Sequence, residues 1–278
     1  MAMRELDEAV SLLSAKAEGV EILPPPERGE RYLDQSTIVV VPTRGQVDSR
    51  VIESWMGLMS MAPPNQKRLG PLFARGYKVE AAYNALVKRI LADSHLSKAR
   101  YLLTLEDDNL PPADAHLRLL ETMEEGPPDG GEWAAVSGLY HTKDVNRTPL
   151  VCGDPGSLAE DGSVDFRAAD KRMLAQALAQ GQHVVECNGI PQGCALWRLD
   201  LFREIEPPWF VTPGDRLLVG GVLKHPREIV PEDAGKEIHK GLSQDLYFAW
   251  RARKAGKRFA VDLRVAVGHL DVATGRVY

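Results

Sequence analysis

Residues 101–112 read YLLTLEDDNLPP, an apolar run that ends in three consecutive acids, Glu106, Asp107 and Asp108, followed by Asn109 and two prolines. Carboxylates this close repel one another and are costly to remove from water. Adjacent acids at the end of a buried strand can hold a hard divalent cation through oxygen ligands. They can also start a loop or cap a helix, as Asp and Asn do well. No HExxH, CxxC or EF-hand spacing occurs.

Three further stretches carry chemistry. In VVVPTRG (39–45) an apolar run enters a polar turn holding Pro42, Thr43, Arg44 and Gly45. Backbone and hydroxyl groups there can bond a base and Arg a phosphate, although an ordinary strand-end turn has the same composition. In GIPQGCALWR (189–198) Gly189 and Gly193 bracket a turn, either a close approach of backbone to a ligand or a plain hairpin. In the C-terminal stretch, Asp245 follows Gln244 at the start of an amphipathic segment, and His269 follows Gly268 after a run rich in β-branched residues. Asp245 suits a first-turn acid as well as a general base, and a lone His is commonly structural.

These residues need a scaffold. Residues 38–41 form a short β-branched run closed by Pro42, the pattern of a buried parallel strand. Helical spacing is expected over 47–61 and 77–94, strand over 99–106, helix over 112–125 and strand over 133–140. The order strand, helix, helix, strand, helix, strand predicts a doubly wound α/β fold. Two strands are expected on either side of the 189–193 turn, then a long Pro/Gly-rich loop over 206–241. A helix ending near Gly256 and one or two final strands complete the chain. Residues 5–17 carry a helical apolar pattern and precede a proline-rich linker. The chain thus divides into a leading helix and linker (1–35) and one domain over 36–278, in two halves, 36–140 and 141–278.

The 278 residues are 44% hydrophobic and 26% charged, which suits a soluble globular protein with a full core. No apolar run approaches the roughly 20 residues that span a bilayer. Three cysteines without CxxC spacing point to a reducing cytoplasm. A net charge of −5 gives no general attraction to nucleic acid or anionic membrane. The basic run RARKAGKR (251–258) is either a local phosphate contact or the solvated face of a helix.

The ordered set of motifs resembles the GT-A fold glycosyltransferases, especially the family-2-like group with bacterial and phage-encoded members. The stretches that carry the likeness are VVVPTRG, AAYNALVKRIL, LTLEDDN, NGIPQGCALWR, SQDLYFAWRARKAG and VAVGHLD, spanning roughly residues 36–271. The resemblance implies a GT-A (Rossmann-like), mostly parallel sheet flanked by helices, with an irregular acceptor-side half. It implies metal-dependent, inverting transfer of a sugar from a UDP- or GDP-sugar to an acceptor hydroxyl. The acceptors it implies are hydroxylated DNA bases of the phage type, glycans or small molecules.

Carried over by position, Pro42, Thr43, Arg44, Asn84, Asp107 and Gly193 would contact the donor. Asp107, Asp108 and His269 would hold Mn²⁺ or Mg²⁺, with His269 favouring Mn²⁺, and Asp245 would be the base. The loop over 212–241 would close over the donor as a lid. The sequence departs from the family pattern in having no second Asp two places after Asp108 and in having Gln244 before Asp245. A nucleotidyltransferase acting on sugar phosphates shares this layout but normally has a Gly-rich, Lys-containing phosphate loop, which is missing here. A non-catalytic sugar-nucleotide-binding protein is the non-enzymatic alternative.

Overall fold

A computed structural model describes residues 34–61, 68–155, 164, 166–214, 216–220, 222–236, 238–239 and 242–278. The leading helix expected over 5–17 and its linker lie outside the described residues, apart from 34 and 35.

The first core strand, β1 (Thr37–Thr43), is buried along its whole length. Its side chains alternate between faces, Ile38 and Val40 packing into one hydrophobic layer, Val39 and Val41 into the other. Two apolar layers on one strand require cover on both sides, and the helices supply it. Helix α1 (Ser49–Ser60) starts at Asp48, whose carboxylate accepts from the Arg50 N–H (2.9 Å). It presents Val51, Trp55 and Leu58 to the Val39/Val41 face, which it shares with α3 (Ala115–Glu125) through Leu119 and Met123. Helix α2 (Val79–Ala92) covers the opposite face with Tyr83, Leu86, Val87 and Ile90. Helices α4 (Lys171–Ala179), α5 (Leu201–Glu204) and α6 (Gln244–Lys254) add Leu174, Phe202 and Phe248 on that side. Trp197, Phe202, Phe210, Phe248 and Phe259 form a continuous aromatic cluster there, with ring centroids 4.9–6.5 Å apart.

The sheet has seven strands. Besides β1 they are β2 (Arg68–Arg75), β3 (Tyr101–Leu105), β5 (Trp133–Leu139), β6 (Val184–Cys187), β7 (Cys194–Arg198) and β11 (Arg258–Ala266), in the spatial order β2-β1-β3-β7-β5-β11-β6. β1 pairs in parallel with β2 and β3, and β5 with β11. β7 runs antiparallel between β3 and β5, and β6 antiparallel on β11. Five strands therefore share one direction, and the mostly parallel α/β class expected from the sequence is observed. The carboxyl ends of β1, β3, β5 and β11, and the start of β7, all emerge at one end of the sheet. A β7 drawn from the second half of the chain sits between two strands of the first, so both halves build one sheet.

Three expectations are corrected. β2 was not expected: it is a largely exposed edge strand interrupted by Gly70 and Pro71, where the apolar alternation is weak and a proline is tolerated. The strands flanking 189–193 are not a hairpin, because β6 lies at the sheet edge and β7 in its middle. The stretch 206–241 is not one loop. It holds β8 (Leu217–Val219), β9 (Val222–Lys224) and β10 (Ile238–His239), a small antiparallel sheet with two 3₁₀ turns. Buried Asp233 ties it together, accepting from Lys224 Nζ (2.7 Å), Lys236 Nζ (2.9 Å) and Val230 N (3.0 Å). A third sheet joins β4 (Asn109–Leu110), β12 (Gly268–Asp271) and β13 (Arg276–Val277). α6 ends as expected, with Gly256 at φ +74° just past its last turn. No described helix is long and apolar enough to cross a membrane.

Candidate functional site

A cleft of about 720 Å³ opens at the carboxyl ends of β1 and β3, where an open α/β sheet binds its ligands. One wall is the turn after β1, with Pro42, Thr43 and Arg44. The second is the start of α2, with Tyr77, Lys78 and Glu80. The floor is Glu106, Asp107 and Asp108, and the far side holds Thr212, Gly214 and Gln244. Thr43 Oγ1 accepts from the Gly45 N–H (3.0 Å), which shapes the first turn. The Arg44 N–H donates to Asp107 Oδ2 (3.1 Å), so two motifs 63 residues apart meet directly. The Arg44 side chain makes no ion pair among the described residues and is exposed to the cleft.

The acidic run does not act as a unit. Asp107 turns to Arg44. Asp108 Oδ2 accepts from Lys143 Nζ in an ion pair, and Lys143 stands in the segment that follows β5. Asp108 Oδ1 is buried with no hydrogen-bond partner among the described residues and lies 3.9 Å from His269 Nε2. His269 Nδ1 bonds the His141 carbonyl (2.7 Å), which can only accept, so the ring proton sits on Nδ1 and Nε2 offers a lone pair. Burial holds the His269 pKa below its ordinary value, opposed by the bond to His141.

Two acceptors thus face each other, a pair that one divalent cation would satisfy at roughly 2.0–2.2 Å from each. No group of three His, Cys, Asp or Glu side chains with metal-binding geometry occurs among the described residues. The expected trio of Asp107, Asp108 and His269 does not form one: Asp107 turns to Arg44, and only Asp108 and His269 face each other.

Glu106, half-buried at the cleft floor, has its pKa raised to about 8. Burial is the main cause, the carboxylates of Asp108 and Asp245 add to it, and a hydrogen bond from the Tyr83 hydroxyl (3.3 Å) opposes it. At neutral pH it carries a proton. Asp245 stands in the first turn of α6, behind Ser243 at the N-cap. Its Oδ1 accepts from the Ser243 hydroxyl and the Leu246 N–H (3.0 Å), and burial raises its pKa. Gln244, its neighbour, reaches the cleft lining.

Two expected donor contacts are engaged elsewhere. Asn84 Oδ1 accepts from the N–H groups of Trp209 (3.0 Å) and Phe210 (3.2 Å), and its Nδ2 donates to the Phe210 carbonyl (2.6 Å). It fastens α2 to the 209–210 segment and is absent from the cleft lining. Gly193 is buried under the floor: its N–H donates to the Tyr140 hydroxyl (2.7 Å) and its carbonyl accepts from the Glu106 N–H (3.1 Å). A Cβ there would stand 2.1 Å from Asn109 Oδ1, so the close approach that demands glycine is to protein.

The basic run is also largely engaged. Arg251 bonds the Pro208 carbonyl, Arg253 and Arg258 pair with Glu186, Lys257 pairs with Glu204, and Lys254 lies 4.6 Å from the Trp250 ring centroid. This is a helix end tied to its neighbours rather than a free phosphate-binding face.

Sequence reasoning did not single out Glu106 as a separate actor, nor Lys143. The signal for Lys143 was its place just after an apolar strand, where the next parallel strand delivers its loop to the same end of the sheet.

No protein-family profile and no curated protein matches the sequence. Among solved structures, 78 chains are similar. One of them, A197 from STIV, superposes with a TM-score of 0.51 at 14% identity, covering 87% of this chain and 92% of that one. At that identity the likeness concerns the fold alone.

Proposed function

We propose that the protein is a glycosyltransferase of the GT-A type that moves a sugar from a nucleoside-diphosphate sugar to an acceptor hydroxyl. The observation that carries the reading is the meeting of the 42–44 turn and the 106–108 acids in one cleft, joined by the Arg44–Asp107 hydrogen bond. The nucleotide lies along the 42–44 turn, with Arg44 on its phosphates. Asp108 and His269 would hold a divalent cation, Mn²⁺ or Mg²⁺, and such an ion would supply charge neutralisation for a departing diphosphate. Asp245 receives the proton of the attacking hydroxyl in an inverting transfer. Glu106, its pKa held up chiefly by burial, keeps its proton beside it. The small β8-β9-β10 sheet, which follows Thr212 and Gly214, excludes water from the donor.

Donor hydrolysis without acceptor tests the class. A glycosyltransferase slowly releases nucleoside diphosphate from a UDP- or GDP-sugar in a panel, a nucleotidyltransferase makes or consumes pyrophosphate, and a binding protein does neither. Absence of nucleoside diphosphate release across the panel, with and without Mn²⁺, would overturn the reading. Mass spectrometry of products from candidate acceptors, hydroxylated DNA bases included, identifies the acceptor.

A further inference from the structure

The cleft is divided by charge. Arg44 and Lys78 stand on its two near walls, both exposed and neither ion-paired among the described residues. The Gly76 N–H donates to the Thr43 carbonyl (3.1 Å), which fixes the start of α2 beside the turn after β1 and keeps the two cations together. The far side holds Thr212, Gly214 and Gln244 and no charged residue. Asp107, on the floor, accepts from the Arg44 N–H (3.1 Å) and meets no cationic side chain within ion-pair distance among the described residues. Asp245, directly after Gln244, is held by the Ser243 hydroxyl and the Leu246 N–H, again without a cation among the described residues. Gln244 itself is the first residue of α6 and lines the cleft, yet its side-chain amide makes no hydrogen bond among the described residues. An amide offers donors and an acceptor without charge, which matches neighbouring sugar hydroxyls that both donate and accept.

We infer that Gln244 is a specificity-determining residue that hydrogen-bonds the hydroxyls of the transferred sugar, and that the site takes a neutral sugar and turns away a uronic acid. This rests on the nucleotide-sugar reading above. A diphosphate lies toward Arg44 and Lys78, the side with unpaired positive charge. That directs the sugar to the far side, against Gln244 and next to the proposed base, Asp245. A carboxylate on the sugar would there join Asp107 and Asp245, two acids without a counter-charge, and like charges brought together discriminate strongly against a ligand. Hydroxyls in the same place pair with the amide, and a sugar that leaves the amide unpaired binds less well.

The test is titration calorimetry on the full chain, with Mn²⁺ and separately with chelator. The ligands are UDP, GDP and their glucose, galactose, mannose and N-acetylglucosamine derivatives. The neutral donor that binds most tightly is then compared with its uronate, oxidised at C6. The uronate is expected to bind the wild type about tenfold more weakly or worse. Gln244→Ala should weaken the neutral donor about tenfold, the loss of a hydrogen-bonding group, and leave the free nucleoside diphosphate unchanged. Gln244→Lys brings a positive charge to the sugar side and should shift the preference between uronate and neutral donor several-fold toward the uronate. Each variant carries its own readout, so either decides the matter should the other fold poorly.

If the wild type binds the uronate as tightly as the neutral donor, the neutral-sugar assignment is overturned while the nucleotide-sugar reading stands. The role of Gln244 is overturned, with the same reading intact, if Gln244→Ala costs the neutral donor nothing or weakens the free nucleoside diphosphate equally, or if Gln244→Lys leaves the preference unmoved. If neither UDP, GDP nor any of their sugars binds the wild type in either condition, the nucleotide-sugar reading falls and this inference falls with it.

Discussion

Asp245 and Glu106 stand close enough for the charge of Asp245 to raise the pKa of Glu106, and the proposed mechanism gives them different roles. Asp245 keeps Oδ1 on Ser243 and Leu246, a hydrogen-bonding pattern that an asparagine oxygen reproduces. Asp245→Asn is therefore expected to fold and to bind nucleotide and cation as wild type does. It should lose transfer by about 10²–10⁴-fold, the usual contribution of a positioned base. Near wild-type turnover would show that Asp245 only supports the helix start. Glu106→Gln is the complementary test. Because Glu106 carries a proton below about pH 8, glutamine imitates its resting form, and turnover at pH 7 should stay within a few-fold of wild type. A collapse of turnover in that variant alone would move the base to Glu106. Retained anomeric configuration in the product would exclude a single inverting displacement whichever carboxylate is used. The sequence made Asp107, Asp108, Asp245 and His269 visible because acids and histidines at strand and helix ends stand out against apolar runs. It could not show which oxygen faces which partner, and so hid the Lys143 ion pair and the turn of Asp107 toward Arg44.

At the scale of elements, the strands and helices with strong periodicity were legible: β1, β3, β5, α1, α2, α3 and α6 fall where apolar spacing puts them. The elements that escaped have weak patterns. β2 is an exposed edge containing Gly70 and Pro71, and β8, β9 and β10 are two or three residues long, too short for any period to register. Pairing was not legible either, because β7 bonds to strands distant in sequence. That placement makes Gly193, one residue before β7, a structural keystone beneath Glu106. Gly193→Ala would drive a methyl group to 2.1 Å from Asn109 Oδ1 and 2.7 Å from the Tyr140 hydroxyl. Overpacking of this kind costs about 1–3 kcal/mol, so the variant should show a lowered urea midpoint. Because the Gly193 carbonyl accepts from the Glu106 N–H, nucleotide affinity should fall as well. Unchanged stability and affinity would mean that the floor yields easily and that Gly193 is not fixed by this contact.

For the whole molecule, stability below neutral pH depends on a histidine far from the cleft. His116 is buried in α3, where Nδ1 lies 2.9 Å from an Arg68 guanidinium nitrogen and Nε2 3.1 Å from Thr37 Oγ1. Arginine can only donate, so Nδ1 accepts, and the ring proton is on Nε2 and donates to the threonine. A second proton would have to sit on Nδ1, facing a guanidinium in a desolvated site. Burial first, and the Arg68 charge second, accordingly hold the His116 pKa at about 3. The folded value lies below the unfolded value of about 6.5, so the unfolded chain binds the proton first as pH falls. The stability is thus complete above about pH 6.5 and is lost progressively from there down to about pH 3, by at most about 1.4 kcal/mol per pH unit for one group. His141 and His269, whose pKa values are also lowered chiefly by burial, add to the same slope. Carboxylates held below their usual range by partners, such as Asp48 at about 2, contribute only below about pH 4. Glu106, raised to about 8, takes up its proton first in the folded state and opposes the histidines between 6.5 and 4.5, so the His116 contribution is read from the difference between the wild type and a His116 variant. Urea unfolding across that interval should show the wild-type midpoint losing ground, as pH falls, relative to that of the His116 variant. His116→Gln keeps a donor toward Thr37 and cannot gain a proton, so it starts from lower stability at pH 7.5 and its deficit against the wild type should shrink as pH falls to 4.5. Parallel pH profiles for the two proteins would place the acid sensitivity elsewhere and show that Arg68 can move aside to admit a charged ring.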